Sequence, residues 1–203
     1  MSKPLLHVIA GPNGAGKSSL YTATISRLTD AEFVNADLLI RAELGRHATT
    51  KAEAQQGQAL ANARRAALMG EGTSLVTETT FSHPSKLALI EDARTKGYDV
   101  AVYHVSLDNA DLAVARVEHR TDGGGHGVPE EKIRGRFERN RGYIREAILM
   151  ADVGFVFDNS ILGDPPRRVL TFSSGALTSI APNLPAWVEE VYADILEAGR
   201  LAG

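Results

Sequence analysis

Residues 11–18 read Gly-Pro-Asn-Gly-Ala-Gly-Lys-Ser and fit the pattern G-x-x-x-x-G-K-[ST] of a phosphate-binding loop, or P-loop. An apolar run, LLHVIA at residues 5–10, precedes the loop, and a segment with helical spacing follows at residues 18–28. A buried strand that enters a glycine-rich turn and then a helix is the context that this motif requires. The stretch therefore predicts a nucleotide-binding site.

The residue types in the loop explain how it would bind phosphate. Gly14 and Gly16 let the backbone turn its N–H groups inward without a Cβ in the way, and the following helix dipole adds positive potential. Lys17 is expected to reach the β- and γ-phosphates, and the Ser18 hydroxyl to ligate Mg²⁺. A chance glycine-rich turn before a helix is the weaker alternative. The predicted nucleotide-binding residues are Gly11, Pro12, Asn13, Gly14, Ala15, Gly16, Lys17, Ser18 and Ser19.

The composition limits the class of protein. The chain has 203 residues, of which 43% are hydrophobic and 23% charged, as is ordinary for a globular domain. The net charge of −3 means that any anion site must be local. The absence of cysteine excludes disulfides, thiolate catalysis and cysteine-bound metals. No signal-peptide pattern and no apolar run of about 18 residues is visible, so we expect a soluble, cytoplasmic protein with no membrane partner.

Strand and helix patterns alternate along the chain. Strands are expected at residues 5–10, 32–36, 74–77, 98–105, 153–157 and 168–172, and helices at residues 18–28, 38–44, 51–69, 84–96, 109–120, 129–150 and 184–198. This alternation predicts an α/β fold, with a single P-loop NTPase domain over residues 1–203 and a mainly parallel sheet covered by helices on both faces. Ligands of such folds bind beyond the carboxyl ends of the strands, so the P-loop, Asp37, Glu78 and Asp158-Asn159 are expected to share one site.

Two carboxylates are candidates for chemistry at that edge. Asp37 could accept a proton from the hydroxyl of an acceptor substrate, or it could cap the following helix. Glu78 could bind substrate hydroxyls or hold the Mg²⁺ shell, or it could be a solvated loop acid. No apolar run ends in a usual Walker B aspartate, so Glu78 is the candidate for part of that role.

A cluster of basic residues surrounds a glycine-rich stretch. Eight of the 22 basic residues lie between residues 116 and 145: Arg116, Arg120, Lys132, Arg134, Arg136, Arg139, Arg141 and Arg145. Phosphoryl transfer needs movable cations opposite the P-loop, so we interpret residues 116–145 as an arginine-bearing lid hinged in the mobile loop at residues 122–127. Two alternatives are ion pairs along the helix surface with neighbouring glutamates and a basic face that binds nucleic acid.

The histidines carry less information. His126 could contact phosphate from the glycine loop or simply be exposed, and His83 could line the acceptor pocket or cap the next helix. The other four, His7, His47, His104 and His119, show no metal-ligand spacing.

Four blocks in this order resemble the short zeta-toxin-like P-loop kinases: the P-loop, Asn35-Ala36-Asp37, Glu78-Thr79-Thr80-Phe81-Ser82, and Arg116-x₃-Arg120 with the GGHGVP segment at residues 124–129. The resemblance covers about residues 5–160. It implies an adenylate-kinase-like fold and ATP with Mg²⁺ as the phosphoryl donor. It also implies UDP-N-acetylglucosamine as the acceptor, since zeta toxins proper phosphorylate its 3′-hydroxyl, and an antitoxin protein as a candidate partner.

The resemblance also implies residue roles. Lys17 would be the P-loop lysine, Asp37 the base for the sugar hydroxyl, Glu78 a substrate-binding acid and Arg116 the first lid arginine. The position of the family's second lid arginine falls close to His126, so the candidates for that charge are Arg120, Arg134 and Arg136. The predicted catalytic residues are Lys17, Asp37, Arg116 and Arg120, and the predicted acceptor site comprises Asp37, Arg41, Glu78, Thr79, Thr80, His83, His126 and Arg136.

The sequence thus predicts an ATP-dependent kinase that transfers the γ-phosphate to a small-molecule hydroxyl, with a UDP-amino sugar as the first acceptor to consider. One alternative is an NTPase that couples hydrolysis to a conformational change. Another is a kinase that modifies nucleic acid or nucleotide ends through the basic helix. The net charge of −3 argues against this second alternative.

Overall fold

Seven strands form one sheet. The computed structural model describes residues 3–122 and 128–201, without the side chains of residues 120–122, 200 and 201. The strands are β1 (Leu5–Ala10), β2 (Glu32–Val34), β3 (Leu75–Thr79), β4 (Asp99–Ser106), β5 (Val153–Asp158), β6 (Arg167–Ser173) and β7 (Ala176–Ile180). Their order in the sheet is β2-β3-β1-β4-β5-β6-β7. The strand that leads into the P-loop is therefore central, which places that loop in the middle of one sheet edge.

The sheet is mainly parallel, as the sequence predicted. Strands β1 to β5 pair in parallel, whereas β6 pairs antiparallel with β5, and β7 pairs antiparallel with β6. Strand β7 was not expected. It returns from β6 through Ser174 and Gly175, whose φ angles of 47° and 78° both lie in the left-handed region. Two positive φ angles are typical of the tight type I′ hairpin turn.

Eight α-helices are present among the described residues: α1 (Lys17–Ala23), α2 (Ala36–Leu44), α3 (Lys51–Gly70), α4 (Leu87–Thr95), α5 (Ala110–Asp122), α6 (Glu130–Met150), α7 (Ala186–Val191) and α8 (Ala193–Leu201). Short 3₁₀ turns at Ile25–Arg27 and Pro84–Lys86 accompany α1 and α4. Two helices differ from the expectation. The helix expected at residues 18–28 leaves α-helical geometry after Ala23, and the helix expected at 184–198 is divided into α7 and α8.

The division of the C-terminal helix has a packing cause. Tyr192, between α7 and α8, has φ −114° and ψ 19°, which is outside the helical region. Its ring is fully buried against Phe172 of β6, and its hydroxyl lies 2.9 Å from Nδ1 of His104. This buried contact holds Tyr192 against the sheet, so the chain changes direction there.

Helices cover both faces of the sheet, which confirms the predicted layers. One core contains Val8, Val102 and residues of α3, α4 and α7, and the other contains Ile9, Val105 and residues of α1 and α5. Helix α6 contributes to both cores. Ile133 and Phe137 lie in the second, whereas Ile144 and Ile148 lie in the first. Each such fully buried side chain contributes about 1.5–3 kcal/mol, so α6 is anchored on both sides of the carboxyl edge that it crosses.

Within residues 3–122 and 128–201, the structure has no helix whose length and apolar character would let it cross a bilayer.

Candidate nucleotide and acceptor site

The P-loop has the backbone geometry of an anion cradle. Gly14 and Gly16 have φ angles of 77° and 89°, which L side chains rarely adopt. Space is also restricted, because a Cβ at Gly11 would lie 2.1 Å from the Val105 carbonyl oxygen and one at Gly14 would lie 2.6 Å from that of Ala113. These glycines are required by conformation and by the close approach of β4 and α5. Gly16 is the N-cap of α1, so the cradle opens directly onto a helix N-terminus.

The two reactive side chains of the loop meet Glu78. Ser18 Oγ donates a hydrogen bond to Glu78 Oε2 at 2.9 Å, and Lys17 Nζ lies 3.8 Å from Glu78 Oε1. Lys17 is only 7% exposed and donates to the Pro12 carbonyl at 2.9 Å. Glu78 belongs to β3, the strand next to β1, and its side chain is 15% exposed. Glu78 is therefore an acid beside the P-loop whose side chain is largely shielded from solvent, and it is not a solvated loop residue.

Asn35 connects this acid to the first turn of α2. Its Nδ2 donates to Glu78 Oε2 at 3.1 Å, while its Oδ1 accepts from the backbone N–H groups of Asp37 and Leu38 at 2.9 and 3.1 Å. Asn35 is thus the N-cap of α2. The alternative interpretation of Asp37 as the cap is wrong, because the side chain of Asn35 already bonds the N–H groups that need a partner. Asp37 instead presents an exposed side chain within the first helical turn.

The segment after Glu78 forms a constrained loop. Thr79 ends β3, and its Oγ1 accepts from the backbone N–H of Phe81 at 3.1 Å. Phe81 is fully buried with a φ of 53°, an unusual value for a side chain of this size. The Thr80 carbonyl accepts from Asn140 Nδ2 of α6 at 3.2 Å. The burial of Phe81, the hydrogen bond to Thr79 and the contact with α6 therefore hold this loop, which would face an acceptor, despite the strained φ of Phe81.

The remaining predicted acceptor residues differ in their surroundings. His83 caps the 3₁₀ turn at Pro84–Lys86, since its Nδ1 accepts from the Ser85 N–H at 3.2 Å, which favours the capping alternative for this residue. Arg41 is exposed in the last turn of α2. His126 lies outside the described residues. The role of each in acceptor binding stays a prediction.

Four of the five arginines of α6 divide into two groups. Arg136 reaches the P-loop, where its Nη1 donates to Asn13 Oδ1 at 3.2 Å. Arg134 instead forms ion pairs with Asp111 and Glu130 at 2.6 and 2.8 Å, as the surface-pair alternative predicts. Arg141 donates to the carbonyls of Leu107 and Asp108, both at 3.0 Å, and Arg145 pairs with Asp194 at 2.5 Å. Among the three candidates for a second lid arginine, Arg136 is the one whose described side chain contacts the P-loop. The side chain of Arg120, on α5, lies outside the described part of the chain.

A cleft of about 510 Å³ opens beside the P-loop. Arg116 of α5 lines it and donates from Nη2 to the Ile161 carbonyl at 3.4 Å. The other lining residues are Gly14, Gly16, Ser19, Ala23, Asn159, Ile161, Leu162, Gly163, Asp164, Pro165 and Pro166. Its volume is that of a small-molecule pocket. Sequence reasoning missed the wall at residues 161–166, although two prolines and a glycine directly after a strand end were a visible signal of a shaped loop.

Two buried histidines are structural. His104 is fully buried with Nδ1 beside Tyr192, and burial, with a smaller effect of the Arg141 charge, lowers the pKa of His104 to about 3. Burial also lowers the pKa of His7, whose Nδ1 lies 2.9 Å from the Tyr103 hydroxyl. Both rings therefore stay neutral at pH 7. Neither belongs to a metal site, since the described residues hold no cluster of three or more His, Cys, Asp or Glu that could bind a metal ion.

Comparisons with known proteins agree with this geometry. The model of the Zeta toxin family matches residues 1–160. A chain of the AvrRxo1-ORF1:AvrRxo1-ORF2 structure with ATP is 19% identical with a TM-score of 0.68, and the match covers 95% of this chain and 63% of that chain. The PezAT toxin–antitoxin structure from Streptococcus pneumoniae has 15% identity, a TM-score of 0.61 and coverages of 98% and 86%. A putative kinase from Chloroflexus aurantiacus has 18% identity, a TM-score of 0.53 and coverages of 69% and 80%. No curated protein gives a match.

The central β1, the P-loop and the acid on the neighbouring strand define a P-loop NTPase fold. Within that class, the chain belongs to the Zeta toxin family. It spans 63% of the AvrRxo1-ORF1:AvrRxo1-ORF2 chain that it resembles.

Proposed function

We propose that the protein transfers the γ-phosphoryl group of ATP to a hydroxyl group of a small molecule. The observation that carries this proposal is the meeting of Lys17, Ser18 and Glu78 at the carboxyl edge, with Arg136 approaching the same loop from α6. A phosphoryl group in transfer needs cations around its equatorial oxygens, and Lys17 and Arg136 supply them from two sides. The cleft beside Arg116 has the size and position to hold the nucleoside of ATP.

The residues around Ser18 fit a magnesium ion. A hydroxyl and a carboxylate oxygen lie 2.9 Å apart, and both are the hard oxygen ligands that Mg²⁺ prefers. Mg²⁺ in such kinases is held by one or two protein oxygens together with the substrate phosphates, so one carboxylate is sufficient. When bound, the ion would neutralise charge that develops on the β- and γ-phosphates. Ser18 would hold it directly, and Glu78, oriented by Asn35, would complete its shell.

Asp37 is the proposed base. Its carboxylate projects from the first turn of α2, two residues after the Asn35 that bonds Glu78. From there it would orient the acceptor hydroxyl and take its proton as the phosphoryl group moves. UDP-N-acetylglucosamine is the first acceptor to test because the family resemblance implies it. The comparisons do not favour a UDP-sugar over other hydroxyl compounds.

An antitoxin protein is the proposed macromolecular partner. The support is the Zeta toxin family and the structural similarity to PezAT, which is described as a toxin–antitoxin system. A nucleic-acid substrate has less support. Three of the six basic residues of α6, Arg134, Arg141 and Arg145, are engaged within the protein, which reduces the cationic face that this helix could offer to nucleic acid.

The test is incubation with γ-labelled ATP and a panel of UDP-sugars, nucleotides, RNA and simple sugars, followed by mass spectrometry. We expect one hydroxyl compound to gain a phosphate. Lys17→Ala should lower the rate by about 100-fold or more, because a cation that stabilises the transition state is lost. Asp37→Asn should lower kcat by about 100-fold with little change in ATP binding, because only the base is removed.

Two results would contradict the proposal. ATP turnover that no acceptor stimulates would indicate an NTPase, and full phosphotransfer by Asp37→Asn would exclude Asp37 as the base. Glu43→Gln makes the same carboxylate-to-amide change in the last turn of α2, keeps an oxygen acceptor for Gln56, and is the matched control for damage to α2.

A further inference from the structure

A series of hydrogen bonds connects helix α7 to the P-loop through Asp158 and Asn159. Trp187, 2% exposed, donates from Nε1 to Asp158 Oδ1 at 2.9 Å, and Ser160 Oγ donates to the same oxygen at 2.6 Å. The next residue, Asn159, is 8% exposed and donates from Nδ2 to the Ala15 carbonyl at 2.8 Å. Hydrogen bonds that are shielded from water in this way hold their partners firmly, because a broken bond leaves a buried polar group unpaired.

The bond to Ala15 meets a requirement of the P-loop itself. A loop that directs its N–H groups toward phosphate must direct its carbonyl groups outward, and each buried carbonyl then needs a donor from elsewhere. Asn159 supplies that donor for Ala15. The backbone N–H of Asn159 is in turn bonded to the Ser106 carbonyl of β4 at 2.9 Å, so its position is fixed by the sheet.

Gly16 and Asn159 are also complementary in shape. A Cβ at Gly16 would lie 2.2 Å from Nδ2 of Asn159, so the amide group occupies the space that the glycine leaves open. Gly16 has a φ of 89° and caps α1. The same amide lines the cleft beside Arg116. Asn159 therefore contacts the P-loop at the residue where the loop becomes helix, between the phosphate cradle and the cleft.

We propose that Asn159 is a positioning residue that holds the P-loop in its anion-binding conformation, and that Trp187 fixes Asn159 through Asp158. This rests on the proposed function, in which the P-loop binds the donor nucleotide. Helix α7 lies outside the region matched by the family model, residues 1–160, so the nucleotide site depends on a segment beyond that region.

The test is calorimetric titration of MgADP into the full-length protein and its variants, well below their unfolding temperatures. Asn159→Ala should weaken ADP binding by about tenfold or more, since it removes a donor to a buried carbonyl. Trp187→Phe keeps a large buried ring but removes the donor to Asp158, and should weaken binding by about 3- to 10-fold. Asp158→Asn, which keeps an oxygen acceptor for Trp187, should bind ADP within about threefold of wild type.

Tyr192→Phe is the matched control. It removes one buried hydrogen bond from the same C-terminal segment, but that bond ends on His104 and does not reach the P-loop. Urea unfolding should show similar losses of stability for Tyr192→Phe and Trp187→Phe, whereas ADP affinity should fall only in Trp187→Phe.

The outcomes separate the two proposals. Wild-type protein that binds no ADP would overturn both the proposed function and the positioning role. If the wild type binds ADP and both Asn159→Ala and Trp187→Phe bind it equally well, only the positioning role is overturned. An equal loss of affinity in Tyr192→Phe would also overturn it, since the effect would then be one of general stability. If Asn159→Ala does not fold, the comparison of Trp187→Phe with Tyr192→Phe decides.

Discussion

At the scale of single residues, His104 makes stability depend on pH. Its ring is fully buried between Tyr192 and Trp187, with Arg141 nearby, and its pKa is lowered to about 3 from the ordinary value of 6.5. Between these values the unfolded chain binds a proton at this position and the folded chain does not. Stability therefore rises with pH through this window and is lost as the pH falls below about 6.5.

This gives a prediction that can be measured by urea unfolding at pH 7.5, 6.0 and 5.0. Wild-type stability should fall over this range, and His104→Gln, which cannot titrate, should show a smaller fall. Taking the difference between the two proteins removes the contribution of groups that both retain, including His7. Parallel pH profiles for the two proteins would show that the pKa of His104 is the same in the folded and the unfolded chain, which would contradict the lowered pKa.

Individual site residues were predictable where the sequence pattern that identifies them is contiguous. The P-loop is a contiguous pattern, so each of its residues could be assigned a role from sequence. Glu78 was identified because it follows an apolar run, although the structure places it within β3 and not after it. Asn159 was noted only as a strand-end residue. Its partner, Ala15, is far away in sequence, and no spacing rule indicates such a pair.

At the scale of secondary-structure elements, helix α6 combines a structural surface with a functional one. Arg134 and Arg136 are two positions apart and point in different directions, one to Asp111 and Glu130 and the other to Asn13. Composition alone showed the basic cluster but could not divide it, because the division depends on where α6 crosses the sheet. The lid function proposed for residues 116–145 stays a prediction. Within that segment, α6 is anchored by Ile133, Phe137 and Ile144.

The two arginines form a matched pair for mutation. Arg136→Ala should lower kcat/KM by about 10- to 1,000-fold, because a cation directed at the P-loop is lost. Arg134→Ala should change kcat/KM by less than about twofold and leave stability nearly unchanged, because exposed ion pairs contribute little. Steady-state kinetics with the acceptor that the labelled-ATP panel reveals provides the measurement. Equal effects of the two substitutions would show that α6 acts only as a scaffold.

Strand β7 shows a second limit of prediction at this scale. Its Ser174-Gly175 turn is a recognisable hairpin signal, but four of its five residues are exposed, so the strand lacks the alternating apolar pattern. It is defined by its pairing with β6. Pairing partners are a property of the fold, and a single sequence reveals them poorly.

At the scale of the whole molecule, the C-terminal segment completes the core. Val169, Leu170 and Phe172 of β6, with Trp187, Val188, Tyr192 and Leu196, lie in the same core as Val8 and Val102 of the central strands. The family match ends at residue 160, before any of these side chains. The matched region alone therefore lacks one wall of its core.

A truncated chain of residues 1–160 tests this dependence. It should fail to unfold cooperatively, since seven buried apolar side chains would be missing, each contributing about 1.5–3 kcal/mol, against a total stability of about 5–15 kcal/mol. Thermal unfolding followed by circular dichroism is the measurement, with the full chain as the reference. A sharp transition in the truncated protein would show that the first core is sufficient without its C-terminal wall.

The hydrogen bonds that reach the P-loop from Asn159 and Trp187 also have a consequence for biosynthesis. The ribosome completes Gly11 to Ser18 first, and Asn159 and Trp187 follow roughly 140 and 170 residues later, which at about 5–20 residues per second is a delay of roughly 7–35 s. During that interval a nascent chain carries the full motif but not the side chains that hold it in shape. Translation thus separates the appearance of the motif from the appearance of the residues proposed to position it, and we expect an unfinished chain on the ribosome to bind ATP more weakly than the complete chain.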